Sequence, residues 1–369
     1  KAKITARTNT TVVVATITTA FTNTNATAAF NLGAFSDTTG HPSCVSFFEQ
    51  RLVFAGTTDE PQTLFFSKAG DYENMTTGTN ADDAMVYTIA SNQVNAIRYM
   101  KAVRTLVVGT TGGEFTVSAD GTDASITPTN ITIKRQSSFG SANVDAIPAG
   151  NAILFLQKAK RKIRELQYNF DSDGYQAPDL TILNETVTDT GINEMSYQQE
   201  PGSNIWCVRD DGVLACLTYQ RSENVIAWSR HIFGGAFGSG NAVCESVASI
   251  SGVLTEDEVW VIVKRTINGA TKRFVECFSD FDFDETSPTS FKFLDSHLSY
   301  SGSGTTTLSG LAHLEGQTVS ILGDGATHAN KTVSSGAITL DRSVTSACVG
   351  LPYDSILQTM RIEGGAAEG

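Results

Sequence analysis

Paired strand-like runs recur about every 50 residues, and that recurrence constrains the fold more than any other feature of this sequence. Residues 51–55 are followed by a polar stretch and then a second run at 63–67. The pattern returns at 105–108 with 114–117, at 153–156 with 163–168, at 205–208 with 213–219, and at 259–263 with 273–278. First strands begin at 51, 105, 153, 205 and 259, so the steps are 54, 48, 52 and 54 residues. A hairpin unit of that length is the size of a propeller blade. One small sheet cannot bury both of its faces alone. Stacking such sheets in series covers the faces and leaves only short edges. Asp211-Gly212 is the sharpest turn signal, because Gly tolerates the positive φ a two-residue hairpin demands. Helical periodicity is nearly absent. The expected class is all-β, with a β-propeller-like body of hairpin repeats. Connections such as 76–83 and 234–241 read as surface loops.

The texture changes after about Phe291. Short alternating strands at 311–322 and 332–340, with turns at 323–325 and 335–336, predict a small C-terminal β-barrel or sandwich module. The first 30 residues read as Thr- and Val-rich strand, without loop signals until 22–25. The expected division is 1–33 as the remainder of an upstream β-domain, 34–290 as the propeller-like repeat domain, and 291–369 as the C-terminal module. Lys1 in place of Met leads us to expect a processed chain or part of a longer one, and the Thr-rich start does not read as a signal peptide.

Charge narrows the classes of function. Among 369 residues, 39 acids against 26 Lys and Arg give −13. Tight binding of nucleic acid through phosphate neutralisation needs a basic face instead. No apolar run reaches the ~18–20 residues of a spanning helix. Six cysteines, Cys44, Cys207, Cys216, Cys244, Cys277 and Cys348, form no C-x-x-C pair. Most lie in apolar strand-like runs, where a free thiol reads as a small buried hydrophobe. A Cys207–Cys216 disulfide across a hairpin is open on spacing.

Candidate chemistry is sparse. Asp210-Asp211 could be an acid/base pair, but the adjoining Gly212 favours a turn. Alternation over Asp280, Asp282 and Asp284 would place three carboxylates on one face, which suits Ca²⁺, yet no Gly makes the sharp turn of a calcium loop. His41, His231, His297, His313 and His328 are scattered, without a nucleophile pattern. Residues 109–113 lack the Lys and helix of a phosphate loop and read as a hairpin turn. Lys158, Lys160, Arg161, Lys162 and Arg164 form a basic run. It reads as a charged hairpin tip or as a contact with an acidic partner or DNA phosphates. Trp206, Trp228 and Trp260 read as packing between blades rather than as a sugar-binding stack. We assign no catalytic, cofactor-binding or metal residue, and no cofactor.

Several runs in order resemble a family of bacteriophage tail proteins. They are 41–56 (His41 to Gly56), Pro61-Gln62-Thr63, 67–74, Leu106 to Thr110 with Gly113-Glu114-Phe115, Ala177 to Leu180, Trp206 to Leu214, Leu217 to Tyr219, Ala227 to His231 and Ile267 to Gly269. Gly310 to Gly316 and Val349 to Tyr353 resemble the C-terminal module of that family, labelled FCCH-like after ubiquitin-activating enzymes, with no ubiquitin chemistry implied. The resemblance spans about residues 33–362. It is to the tail nozzle, or tail tubular protein B, of short-tailed phages, whose members are usually longer at the N-terminus.

The resemblance implies a structural virion protein and not an enzyme, assembled in the host cytoplasm. It implies a homo-oligomer, a hexameric ring, below the tail adaptor protein and above tail fibres or a needle. The host cell envelope lies nearby, double-stranded DNA passes through the ring without specific binding, and there is no small-molecule substrate. On that reading the acidic runs 280–285 and 255–258 face the lumen, while the basic run 158–164 points away from the axis or into a protein contact. The alternative is a tail-tip, hub or receptor-binding propeller that binds or cleaves host surface polysaccharide.

Overall fold

In a computed structural model, the structure describes residues 2–17, 20, 25, 34–91, 94–121, 124–252, 256–279 and 287–359. The chain is all-β, and helix among the described residues is limited to four three-residue 3-10 turns. At the N-terminus β1 (Ala2–Arg7) and β2 (Val13–Ile17) form an antiparallel hairpin. Its turn went unread in the sequence. Asn9 makes it, its side-chain oxygen accepting the Thr11 N–H at 2.9 Å, a local bond that mimics a backbone turn.

Five antiparallel meanders follow in chain order. The first holds β3 (Cys44–Phe48), β4 (Arg51–Ala55), β5 (Thr63–Phe66) and β6 (Met85–Thr88). The second holds β7 (Ile97–Ala102), β8 (Leu106–Thr110), β9 (Gly113–Ala119) and β10 (Ile131–Ser137). The third holds β11 (Ile147–Ala149), β12 (Ala152–Leu156), β13 (Ile163–Asn169) and β14 (Gly174–Gln176). The fourth holds β15 (Ile192–Gln198), β16 (Asn204–Arg209), β17 (Leu214–Gln220) and β18 (Val225–His231). After a ribbon of β19 (Ala236–Phe237) and β20 (Gly240–Asn241), the fifth sheet holds β21 (Val243–Ile250), β22 (Glu258–Ile267) and β23 (Ala270–Cys277). Every hairpin read from the sequence is present, and in the first four sheets it is the inner pair. The stretch 234–241 carries that ribbon rather than loop alone.

The sheets stack face to face, and their inner strands serve two cores at once. Leu106 and Val108 of β8 pack with Val53, Leu64 and Phe66 of the first sheet. Between them, Val107 packs the other way, with Ile153, Phe155 and Leu166 of the third. Leu154 and Leu156 of β12 meet Ile205, Cys207 and Leu217 of the fourth. Trp206, Val208 and Cys216 meet Val247, Val259, Val261 and Val263 of the fifth. A strand covered on both faces needs apolar residues at every position. This two-sided cover makes β8 and β12 buried throughout and gives the body its propeller-like character.

The C-terminal module has β24 (Asp295–Ser309), β25 (Thr318–Gly323), β26 (Ala326–Thr332) and β27 (Ala337–Leu351). Its order is β24-β27-β25-β26, an open sheet in which no barrel closes. Leu308, Leu314, Val319, Ile338 and Leu340 form its core.

The cysteines are free; five are buried as expected, whereas Cys277, on the outer face of the fifth sheet, is exposed. Register places Cys207 opposite Ala215 and Cys216 opposite Trp206, so the two thiols are not cross-strand partners. Burial pushes the Cys216 and Cys244 thiols up to about 12, which leaves them protonated and unreactive at neutral pH.

Candidate functional site

A groove of about 910 Å3 opens where the fourth and fifth sheets meet the C-terminal module. Its floor is aromatic. Trp206 packs edge-on against Phe278 with ring centroids 5.0 Å apart and against His231 at 5.1 Å. Alternation along β22 sends Val259, Val261 and Val263 inward, and the next inward position is Arg265. Arg265 is fully buried. Its Nε donates to the Gly234 carbonyl at 2.8 Å, and its guanidinium is paired with both oxygens of Glu276 on β23. The Gly234 N–H donates in turn to Asp295 at 2.6 Å, at the start of β24. Burial pushes the Asp295 carboxyl above the ordinary carboxylate range, against the lowering by that N–H and by Arg265. His313 lies edge-on to Phe274, 6.4 Å between centroids. These contacts fasten the C-terminal module to the fifth sheet. Arg265 carries little signal in the sequence, only one cation in an otherwise apolar stripe.

Three of the scattered histidines, His231, His297 and His313, converge on this groove. His231 Nε2 lies 3.1 Å from Ser229 Oγ. A nucleophile and base of that kind need a third group to orient the base. Among the described hydrogen bonds no carboxylate reaches His231, and two of the groove's three carboxylates, Glu276 and Asp295, are held by Arg265 and Gly234, the third being Asp354. No group of three or more His, Cys, Asp or Glu is placed to hold a metal among the described residues.

Burial lowers the pKa of His231 and of His297. The unfolded chain then binds protons more readily as pH falls through the usual value of ~6.5. Stability is therefore greatest above that value and declines below it, by at most about 1.4 kcal/mol per pH unit for each such group. Urea midpoints between pH 7.5 and 5.5 are expected to fall with pH, with a shallower slope in His231→Phe.

The other candidates sit apart. Asp211 accepts from Arg209 at 2.7 Å and from the Val213 N–H, and Gly212 has φ 80°, so this pair builds a turn. Within residues 109–113, Thr111 and Gly112 form the β8–β9 turn between the paired Thr110 and Gly113. Asp280, Asp282, Asp284 and the whole run 280–285 lie outside the described residues, as does residue 255. Asp257 is engaged, accepting the Gln199 N–H at 2.7 Å. Three of the five side chains of the basic run are engaged within the chain, while Lys158 and Arg161 are exposed. Lys162 pairs with Asp179 at 2.8 Å, Lys160 donates to Asn193, and Arg164 lies 3.6 Å over the Phe139 ring. Trp206 is buried between blades and Trp228 is partly buried beside the third sheet. Trp260, contrary to expectation, is on the outer face of the fifth sheet, where its partners are Ala248 and Cys277. The buried charges Arg51, Glu114 and Glu165 were not singled out as sites.

No protein-family model and no curated protein matches the chain. Among solved structures, it is similar to a luciferin-regenerating enzyme at 11% identity and a TM-score of 0.25, over 58% of this chain and 80% of that one. No helix among the described residues is long and apolar enough to cross a membrane.

Proposed function

We propose that the chain is a structural protein of a short-tailed phage virion. Copies form a ring, a hexamer, at the lower part of the tail, around the DNA exit channel and between the adaptor and the distal tail parts. One observation carries the reading: the row of five sheets exposes apolar side chains at both ends, Val45, Phe47 and Val86 on the first sheet and Val275 on the fifth. A closed ring uses two different patches of each subunit, head to tail, and a row of stacked sheets with unlike ends supplies such a pair. The ordered motifs that resemble the nozzle family point the same way. The charge suits a conduit, since six copies at −13 carry 6 × −13 = −78, and a negative lumen repels phosphate. Lys160, Lys162 and Arg164 of the basic run are engaged within the chain, and on this reading the run points away from the axis or into a protein contact.

Imaging of particles around the tail axis tests this. The expected result is a ring of copies with six-fold symmetry. A single copy on the axis, or a receptor-binding position away from the channel, overturns it.

A further inference from the structure

A second, smaller pocket lies between the β13–β14 hairpin and the β17–β18 turn, and it shares no residue with the groove. Its volume is about 340 Å3, at the small end of the roughly 300–1,000 Å3 of ligand sites. Alternation along β13 puts Glu165, Gln167 and Asn169 on one face, and the hairpin register sets Gln176 of β14 directly opposite Gln167. Along this face the strand passes from core to solvent. Glu165 is 1% exposed, whereas Gln167 and Gln176 are exposed. Gly174, opposite Asn169, adds no side chain.

The other wall is Arg221, from the turn between β17 and β18. Its guanidinium grips the Glu165 carboxylate with two nitrogens, Nε at 3.0 Å and Nη2 at 2.7 Å. The Tyr219 hydroxyl donates to the same carboxylate at 2.9 Å. A guanidinium held on two nitrogens by one carboxylate is fixed in its plane, and three of its five N–H groups are left over. Among the described hydrogen bonds and ion pairs, neither the Gln167 amide nor the Asp171 carboxylate has a partner. Gln176 donates to Ser172 at 3.3 Å, and the Asn169 side-chain oxygen accepts the Ser172 N–H at 3.1 Å. Phe170, which lines the same pocket at the hairpin tip, is 86% exposed.

Donors and acceptors decide what such a pocket takes. Amides both donate and accept, a guanidinium only donates, and an ionised carboxylate only accepts. Neighbouring hydroxyls, each donor and acceptor at once, satisfy that set. An anion would meet Asp171 and a guanidinium already neutralised by Glu165. An apolar ligand would strip water from these polar side chains without replacing their hydrogen bonds. A sugar ring also carries a C–H face, for which the exposed Phe170 ring is a platform.

We propose that this pocket binds one neutral sugar unit, its hydroxyls on Gln167, Gln176 and Arg221 and its ring face on Phe170. The site binds and does not cleave. Glycoside cleavage takes two carboxylates, and Glu165 is locked by Tyr219 and Arg221, which leaves Asp171 alone. The site is independent of the ring reading, so particles without a ring would leave it standing.

Saturation-transfer NMR on the full chain tests it, with glucose, galactose, mannose and N-acetylglucosamine, each free and as its methyl glycoside. A ligand of so few atoms is expected to bind at about 1–10 mM. Phe170→Ala and Gln167→Ala, at exposed positions where folding is not at stake, should each weaken binding roughly threefold or more. Phe293→Ala, in the large groove, should leave it unchanged. Binding of a glycoside supports the end of a glycan chain as the ligand, and binding of the free sugar alone supports a dissolved sugar. No binding of any of them at about 50 mM, far above the expected constant, overturns the proposal. Binding that both pocket variants leave intact, or that Phe293→Ala abolishes, overturns it as well. Hydrolysis of a glycoside, or tighter binding of glucuronate or inorganic phosphate than of every neutral sugar, also overturns it.

Discussion

Replacing Arg265 by Met is expected to lower the unfolding free energy by about 3–5 kcal/mol. The guanidinium is fully buried, and it neutralises Glu276, whose side chain is 16% exposed. Met fills the volume of the Arg stem but strands the Glu276 carboxylate beside Asp295 and orphans the Gly234 carbonyl. Removing one member of a buried pair costs far more than the pair contributes, because the partner's charge stays buried without compensation. Replacing Glu276 by Leu as well should therefore recover most of the loss, and urea midpoints of the two single variants and the double variant measure it. A loss below about 1 kcal/mol in Arg265→Met, typical of an exposed pair, would show that this junction is open to water.

Arg51→Met is expected to cost about 3 kcal/mol, through carbonyl groups rather than a counterion. Arg51 is 1% exposed. Its guanidinium donates at 2.7 Å to the carbonyls of Ser67, Ala81 and Asp83, the two ends of the connection between β5 and β6. Each carbonyl left unpaired and buried costs about 1–3 kcal/mol, and opening of the loop to water limits the total. Arg51→Lys should recover only part, because one compact ammonium cannot span the acceptors that the two terminal guanidinium nitrogens reach. Hydrogen exchange should quicken around 67–84 in both variants, more in Met than in Lys. Exchange unchanged there would show that the loop holds itself.

The two arginines also show where reading the sequence runs out. Arg51 is seen only as the first residue of a strand, because the carbonyls it binds are 16 to 32 positions away. Glu165 on β13 is bonded by Tyr219 and Arg221, more than 50 positions on, and nothing local marks such a partnership. The outer strands were missed for a different reason. β6 and β14 are short and β3 and β18 are half exposed, so they stand out less than an inner strand packed on both sides such as β12, which is apolar throughout. The groove at the C-terminal junction was invisible because His231, His297 and His313 lie on three separate elements.

The five hairpin units of the body, their order and the pairing within each were determined by the sequence itself, since these depend on contacts a few residues apart and on turns such as Asp211-Gly212. Which face of each sheet is covered, and which cation is buried with which carboxylate, was decided only by the tertiary structure. Burial is a property of the neighbour that arrives, and β22 carries the same apolar run on both faces although among the described residues only one of them meets a partner sheet.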